Sequence, residues 1–128
     1  MPTFLTRYEA QLYAALRIIT GFLFLWHGMQ KLFGFPGTMP PGVPAFIVWI
    51  AGPIELGCGV LVMLGLFTRP AALLASGLMA FAYWMAHGTR ALLPILNEGE
   101  LAVIYCFVFL FIAARGSGVW SVDASLER

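Results

Sequence analysis

The sequence predicts an all-α integral membrane protein, a four-helix bundle of up-down topology with both termini cytoplasmic. Three observations carry this expectation. Of 128 residues, 61% are hydrophobic and 10% charged, too few polar side chains to cover a water-facing surface, so the excess apolar surface must meet lipid. Four apolar blocks approach the ~20 residues that cross a ~30 Å hydrocarbon core at 1.5 Å per residue. Between them stand Gly/Pro-rich or polar segments that end helices. Residues 1–128 read as a single transmembrane domain.

The first block, residues 13–33, carries Arg17, His27 and Lys31. The second, 45–67, is interrupted only by Glu55, and the third, 71–87, holds no formal charge. The fourth, 97–115, has a short purely apolar part (101–114) and must borrow 97–100 or sit in a locally thinned bilayer. Glu98 and Glu100 then fall in its first turn, where carboxylates interact well with the helix dipole. Residues 34–44 (GFPGTMPPGVP) hold three glycines and four prolines, which makes them a loop. Thr68-Arg69-Pro70 reads as a tight turn joining two antiparallel neighbours, its proline suited to the start of the next helix. The tail after Arg115 is polar and Gly/Ser-containing, and is expected at the surface.

The net charge of +1 creates no basic field for nucleic acid, so lipids, membrane subunits or apolar small molecules are the expected partners. Cys58 and Cys106 lie in separate apolar runs without metal-ligand spacing, so neither a disulfide nor a metal site is indicated. The first block is longer than a signal-peptide core and lacks a small-residue cleavage site, so it is expected to be retained. An N-inside orientation places Arg7, Arg17, Arg69, Arg115 and Arg128 inside, against Lys31 and Arg90 outside, which satisfies the positive-inside rule.

With that topology the intramembrane polar residues gather in the outer half. His27 lies roughly 9 Å and Glu55 roughly 15 Å from the outer helix ends, while Lys31 and His87 lie nearer the boundary. Along the first helix Arg17, Gly21, Phe24, Gly28 and Lys31 recur at i+3 or i+4, with His27 beside them, so this stripe should face the interior. Ala72, Ser76, Ala80, Tyr83 and His87 form a comparable stripe on the third helix, and Glu55, Gly59 and Val62 a facing row on the second. Gly21, Gly52, Gly57, Gly59 and Gly65 read as close-packing positions, and the tryptophans mostly as interface anchors.

Glu55 is the most informative residue. A charge near mid-membrane costs at least ~2.5 to 3.5 kcal/mol on insertion scales and needs a partner, a proton or water. Lys31 or His27 is the expected partner, ahead of Arg17, which lies toward the other side. Two readings stay open: a proton-handling or polar-ligand site built from Glu55, His27 and His87, or a buried ion pair that fixes helix register and does no chemistry. Haem between His27 and His87 is permitted by the spacing but not required by it. No nucleotide-binding, serine-hydrolase, zinc-protease or EF-hand motif is present.

Arg17-x-x-x-Gly21, His27-Gly28-x-x-Lys31-Leu32-x-Gly34, Glu55-Leu56-Gly57 and Gly65-Leu66-x-Thr68-Arg69-Pro70-Ala71-Ala72 occur together and in order. Over residues 13–115 the chain resembles the DoxX family of small bacterial membrane proteins. The resemblance implies a four-helix bundle of the inner membrane associated with quinone-linked or redox-stress oxidoreductases, and it supplies no settled catalytic residue. Joined to the residues, it suggests a quinone head group held by Glu55, His27, Lys31 and Tyr83, with His87 and Arg17 as further ligand-binding candidates. Glu55 and His27 would handle protons, and the quinone tail would lie among Phe22, Phe24, Phe107 and Phe109. A redox partner subunit must then supply electrons. The competing expectation is a non-catalytic scaffold or small-molecule carrier. Monomer and homo-oligomer both stay open.

Overall fold

A computed structural model describes residues 3–127; Arg128, counted above among the inside cations, lies outside them. The described chain is helical and without strands. A 3₁₀ turn, Phe4–Tyr8, leads into α1 (Glu9–Phe33); a wide π turn, Ile47–Ala51, leads into α2 (Gly52–Leu64). There follow α3 (Thr68–Ala86), the single turn α4 (Pro94–Asn97), α5 (Glu100–Arg115) and the short α6 (Val122–Leu126). Two continuous helical segments, Phe4–Phe33 and Ile47–Leu64, are long and apolar enough to cross a membrane.

Several boundaries differ from those expected, each for a local reason. Helix one begins at Glu9 rather than 13, because a carboxylate in the first turn suits the helix dipole although it breaks the apolar run. Helix two stops at Leu64, not 67, where Gly65 adopts the left-handed conformation (φ 71°) that closes a helix. Its start is widened into a π turn, with the Gly52 N–H reaching the carbonyl of Ile47. Pro53 explains this: in a regular helix its ring would crowd the carbonyl four residues back. Thr68-Arg69-Pro70 is not a turn but the opening of α3, where the missing proline N–H is no loss because the first helical N–H groups have no intrahelical partner. The fourth helix begins at Glu100 and borrows nothing from 97–99, which form a separate turn.

Glycine brings α1 against α2. A Cβ on Gly21 would stand 2.5 Å from the Met63 backbone nitrogen, one on Gly28 2.4 Å from that of Leu56, and one on Gly59 2.8 Å from that of Leu25. Ascending positions on α1 meet descending ones on α2, so the two run antiparallel in backbone contact. α3 pairs with α5 in the same sense: Ser76 Oγ donates to the Cys106 carbonyl at 2.7 Å, and the Arg69 guanidinium donates to the carbonyls of Ala113 and Ala114 at the end of α5. Phe24, Val62, Ala72, Ala75, Phe109 and Ile112 fill the space between the two pairs.

The tail lies at the surface, as expected, but it is docked there rather than free. Arg17 is fully buried, and its guanidinium donates to the carbonyls of Val62 (3.1 Å), Ser117, Val119 (3.1 Å) and Trp120 (2.7 Å). Asp123 then accepts from the Phe67 and Thr68 N–H groups and the Thr68 hydroxyl, satisfying donors at the start of α3.

Candidate functional site

Backbone contact along α1 and α2 brings the end of α1 beside the first turn of α2. Lys31 Nζ lies 2.8 Å from Glu55 Oε2, with the two side chains 12% and 5% exposed. At that distance the charges compensate each other. A carboxylate has more lone pairs than one ammonium can occupy, so Glu55 keeps acceptor capacity toward the interior.

Glu55 lines a cavity of about 280 Å³ between the helix pairs, together with Phe24 and His27 of α1, Met79 and Ala82 of α3, and Leu101, Ala102 and Tyr105 of α5. His87 and Glu98 complete its wall. Phe24, Glu55, Met79 and Tyr105 are buried, whereas Glu98 and Leu101 are exposed, so the cavity opens at the α3–α5 end. Tyr105 stacks on Phe109 with ring centroids 5.8 Å apart and meets His27 edge-on at 5.9 Å. The His27 ring has no hydrogen-bond partner among the described residues. It also borders a second groove formed by Trp26, Gln30, Pro36 and Gly37.

The wall near His87 is built around Asn97, which is 1% exposed. Its Nδ2 donates to the Tyr83 hydroxyl and to the Ala91 carbonyl, both at 3.0 Å, and its Oδ1 accepts from the Gly99 N–H at 2.9 Å. Its own carbonyl lies 2.9 Å from His87 Nδ1. A carbonyl can only accept, so His87 carries its proton on Nδ1 and, when neutral, keeps a lone pair on Nε2.

The structure therefore brings Glu55, His27 and His87 to one cavity, with Lys31 reaching it through Glu55. Tyr83 serves Asn97 rather than lining the cavity. Arg17 stands apart, in the N-terminal half of α1, with its donors taken by carbonyls. Of the four phenylalanines expected to hold an apolar tail, Phe24 and Phe109 pack on each other at 4.7 Å inside the core, while Phe22 and Phe107 are 43% and 64% exposed. They form no common channel. The sequence points to Glu98 only as a first-turn carboxylate and does not single out Asn97. The one available signal was the Asn97-Glu98-Gly99 string itself, which is turn chemistry. More open clefts surround the tail, but Arg69 and Asp123 on their walls are already engaged.

The DoxX family matches residues 12–88. An uncharacterized protein of Haemophilus influenzae is 38% identical over 93% of both chains. The inner membrane protein YqjF of Escherichia coli is 31% identical over 88% of this chain and 89% of its own. CatD of Bacillus subtilis, named provisionally as an oxidoreductase, is 30% identical over 84% of this chain and 81% of its own. No solved structure matches at a significant level. The family match and these relatives together show that the chain belongs to the DoxX family and is a membrane protein.

Proposed function

We propose that this chain is a multi-pass inner-membrane subunit of a quinone-linked oxidoreductase, and that the Glu55 cavity holds the quinone head group and handles its proton. The observation that carries the reading is the cavity itself. Its apolar walls of Phe24, Met79, Ala82, Leu101 and Ala102 suit a flat ring, and Glu55, His27 and His87 supply convergent polar groups. At about 280 Å³ it lies near the lower limit of ~300 Å³ for small-molecule sites, which favours a head group with its tail outside. The exposed Leu101 at the mouth offers the tail a way into lipid, in place of the phenylalanine channel.

Four spans, α1, α2 with its π turn, α3 and α5, form the up-down bundle of this proposal. Arg17, Arg69 and Arg115 cluster where the tail docks, and Arg115 pairs with Glu9 at 3.1 Å, so an inward orientation of that end satisfies the positive-inside rule. Both termini are then cytoplasmic and the cavity faces outward. The names of two relatives, an inner membrane protein and a provisional oxidoreductase, support the setting.

A bound quinone would supply the electron-accepting chemistry. His27, whose ring nitrogens are unengaged, would donate to the head group, Glu55 would hold the exchanged proton, and Lys31, paired with it, would balance the carboxylate once that proton had left. No side chain here stores electrons, so a partner subunit provides them.

The test is mass spectrometry of organic extracts from natively purified protein, comparing wild type with Glu55→Gln. Stoichiometric quinone in the wild type, lost in the variant, is the expected result. A second reading, a non-catalytic scaffold, draws on the Lys31–Glu55 pair, which can lock helix register without chemistry. Absence of quinone from both proteins, with the variant merely less stable, would replace the first reading by the second.

A further inference from the structure

We infer that Glu98 is the proton-exchange group of the cavity mouth, passing protons between external water and the Glu55 interior; this rests on the proton-handling reading above. Two independent features point to it. Glu98 is the one carboxylate among the described residues that is exposed and also lines the cavity, while Glu55, its interior counterpart, is 4% exposed. Its backbone is held at φ 61°, in the left-handed region that a side-chain-bearing residue rarely adopts.

The hold is tight. The Glu98 N–H bonds to the Pro94 carbonyl, closing α4, and Asn97 clamps the following Gly99 N–H. A Cβ at Gly99 would stand 2.6 Å from the Tyr83 ring, so that glycine cannot be replaced without opening the turn. Position 98 has the backbone conformation that glycine adopts most easily, yet it carries a carboxylate aimed at a cavity rim. The turn presents a titratable group at some conformational cost, as functional sites do.

The groups facing Glu98 across the cavity are His87 just past the end of α3, His27 from α1, Glu55 from α2 with its Lys31 partner, and Tyr105 from α5. The Tyr83 hydroxyl is occupied by Asn97. A proton taken from external water by the Glu98 carboxylate passes, directly or through the free Nε2 of His87, to Glu55 or to the ligand. Each transfer moves one proton and no electron, and the reverse sequence returns it to the outside. The route opens on the side away from Arg17, so protons exchanged in the cavity come from the phase that faces its mouth.

The experiment uses full-length protein in lipid nanodiscs and a light-triggered pH jump followed by time-resolved infrared spectroscopy, reading the carboxyl band that disappears in Glu55→Gln. Glu98→Gln and Glu98→Gly should slow the response of that band about 100-fold, the scale of a positioned proton-transfer group, while its final amplitude is unchanged. Glycine suits the backbone at 98, so the second variant separates loss of the carboxylate from misfolding. Glu98→Asp should restore most of the rate. Glu100→Gln, an exposed neighbour outside the cavity, should leave it unaltered. The inference is overturned if Glu98→Gln responds like wild type, if Glu100→Gln slows the band equally, or if the Glu55 band does not respond to pH at all. Quinone content of the same samples is measured separately, so a wild type without quinone counts against the quinone site and leaves the proton route to be judged by the rates.

Discussion

Gly28→Ala tests whether the α1–α2 contact is what creates the ion pair at the cavity. The new methyl would lie 2.4 Å from the Leu56 backbone nitrogen and 2.7 Å from the Gly52 carbonyl oxygen, against 3.4 Å for the start of ordinary contact. The helices must therefore part by about 1 Å at that level, because both obstacles are backbone and cannot rotate away. Overpacking of this kind costs about 1 to 3 kcal/mol, and a rigid obstacle puts Gly28→Ala near the upper end, at about 3 kcal/mol. Lys31 and Glu55 sit within one turn of the contact, so their 2.8 Å separation opens as well. Gly57 is the matched control: it lies on α2, and a Cβ there meets nothing within 4 Å. Gly57→Ala should be neutral or stabilise by about 0.5 to 1 kcal/mol through reduced backbone freedom in the unfolded chain. Equilibrium unfolding by SDS in mixed micelles, followed by tryptophan fluorescence and circular dichroism, measures both. If Gly28→Ala lies within about 0.5 kcal/mol of wild type, like an ordinary surface substitution, the close-approach argument fails.

Two further predictions concern the tail. Arg17→Lys keeps the charge but loses the planar fork that serves four carbonyls, and leaving two or more unpaired at about 1 to 3 kcal/mol each should destabilise by about 3 kcal/mol in the same unfolding assay; an unchanged midpoint would refute it. For Asp123, partial burial alone would raise the pKa, but the Thr68 and Phe67 donors and the Arg17 charge outweigh it and hold the carboxyl below its ordinary value. A depressed folded-state pKa means that this contribution to docking is full above the unfolded value of about 3.9 and is lost as pH falls through the lower folded value. The hydrogen-exchange protection factor at α6, referred to the intrinsic amide rate at each pH, should accordingly be flat from neutral pH to about 4 and fall only below it, and Asp123→Asn should remove that acid step.

Much of the site was legible because it follows from local cost. A carboxylate in an apolar run needs compensation wherever the run ends up, so Glu55 pointed to Lys31 or His27 before any fold was known, and the structure places Lys31 on it. The glycine spacing along α1 likewise marked the face that meets α2, since periodicity is a property of neighbouring residues. Composition alone required lipid as the solvent.

Other features depend on residues far apart in the chain. The tail's polar, Gly/Ser-containing composition pointed to the surface, where most of it lies, and only the fold reveals that Arg17, about a hundred residues earlier, docks it by donating to its carbonyls. Glu98 looked like a first-turn carboxylate, a role that Glu100 fills instead, because helix-dipole chemistry favours either position. Asn97 settled the matter by closing a turn around Tyr83, Ala91 and His87. The sequence by itself determined which residues could not be left alone in an apolar medium. The tertiary structure decided which of them meet, because a cavity exists only where helices distant in sequence fail to fill the space between them.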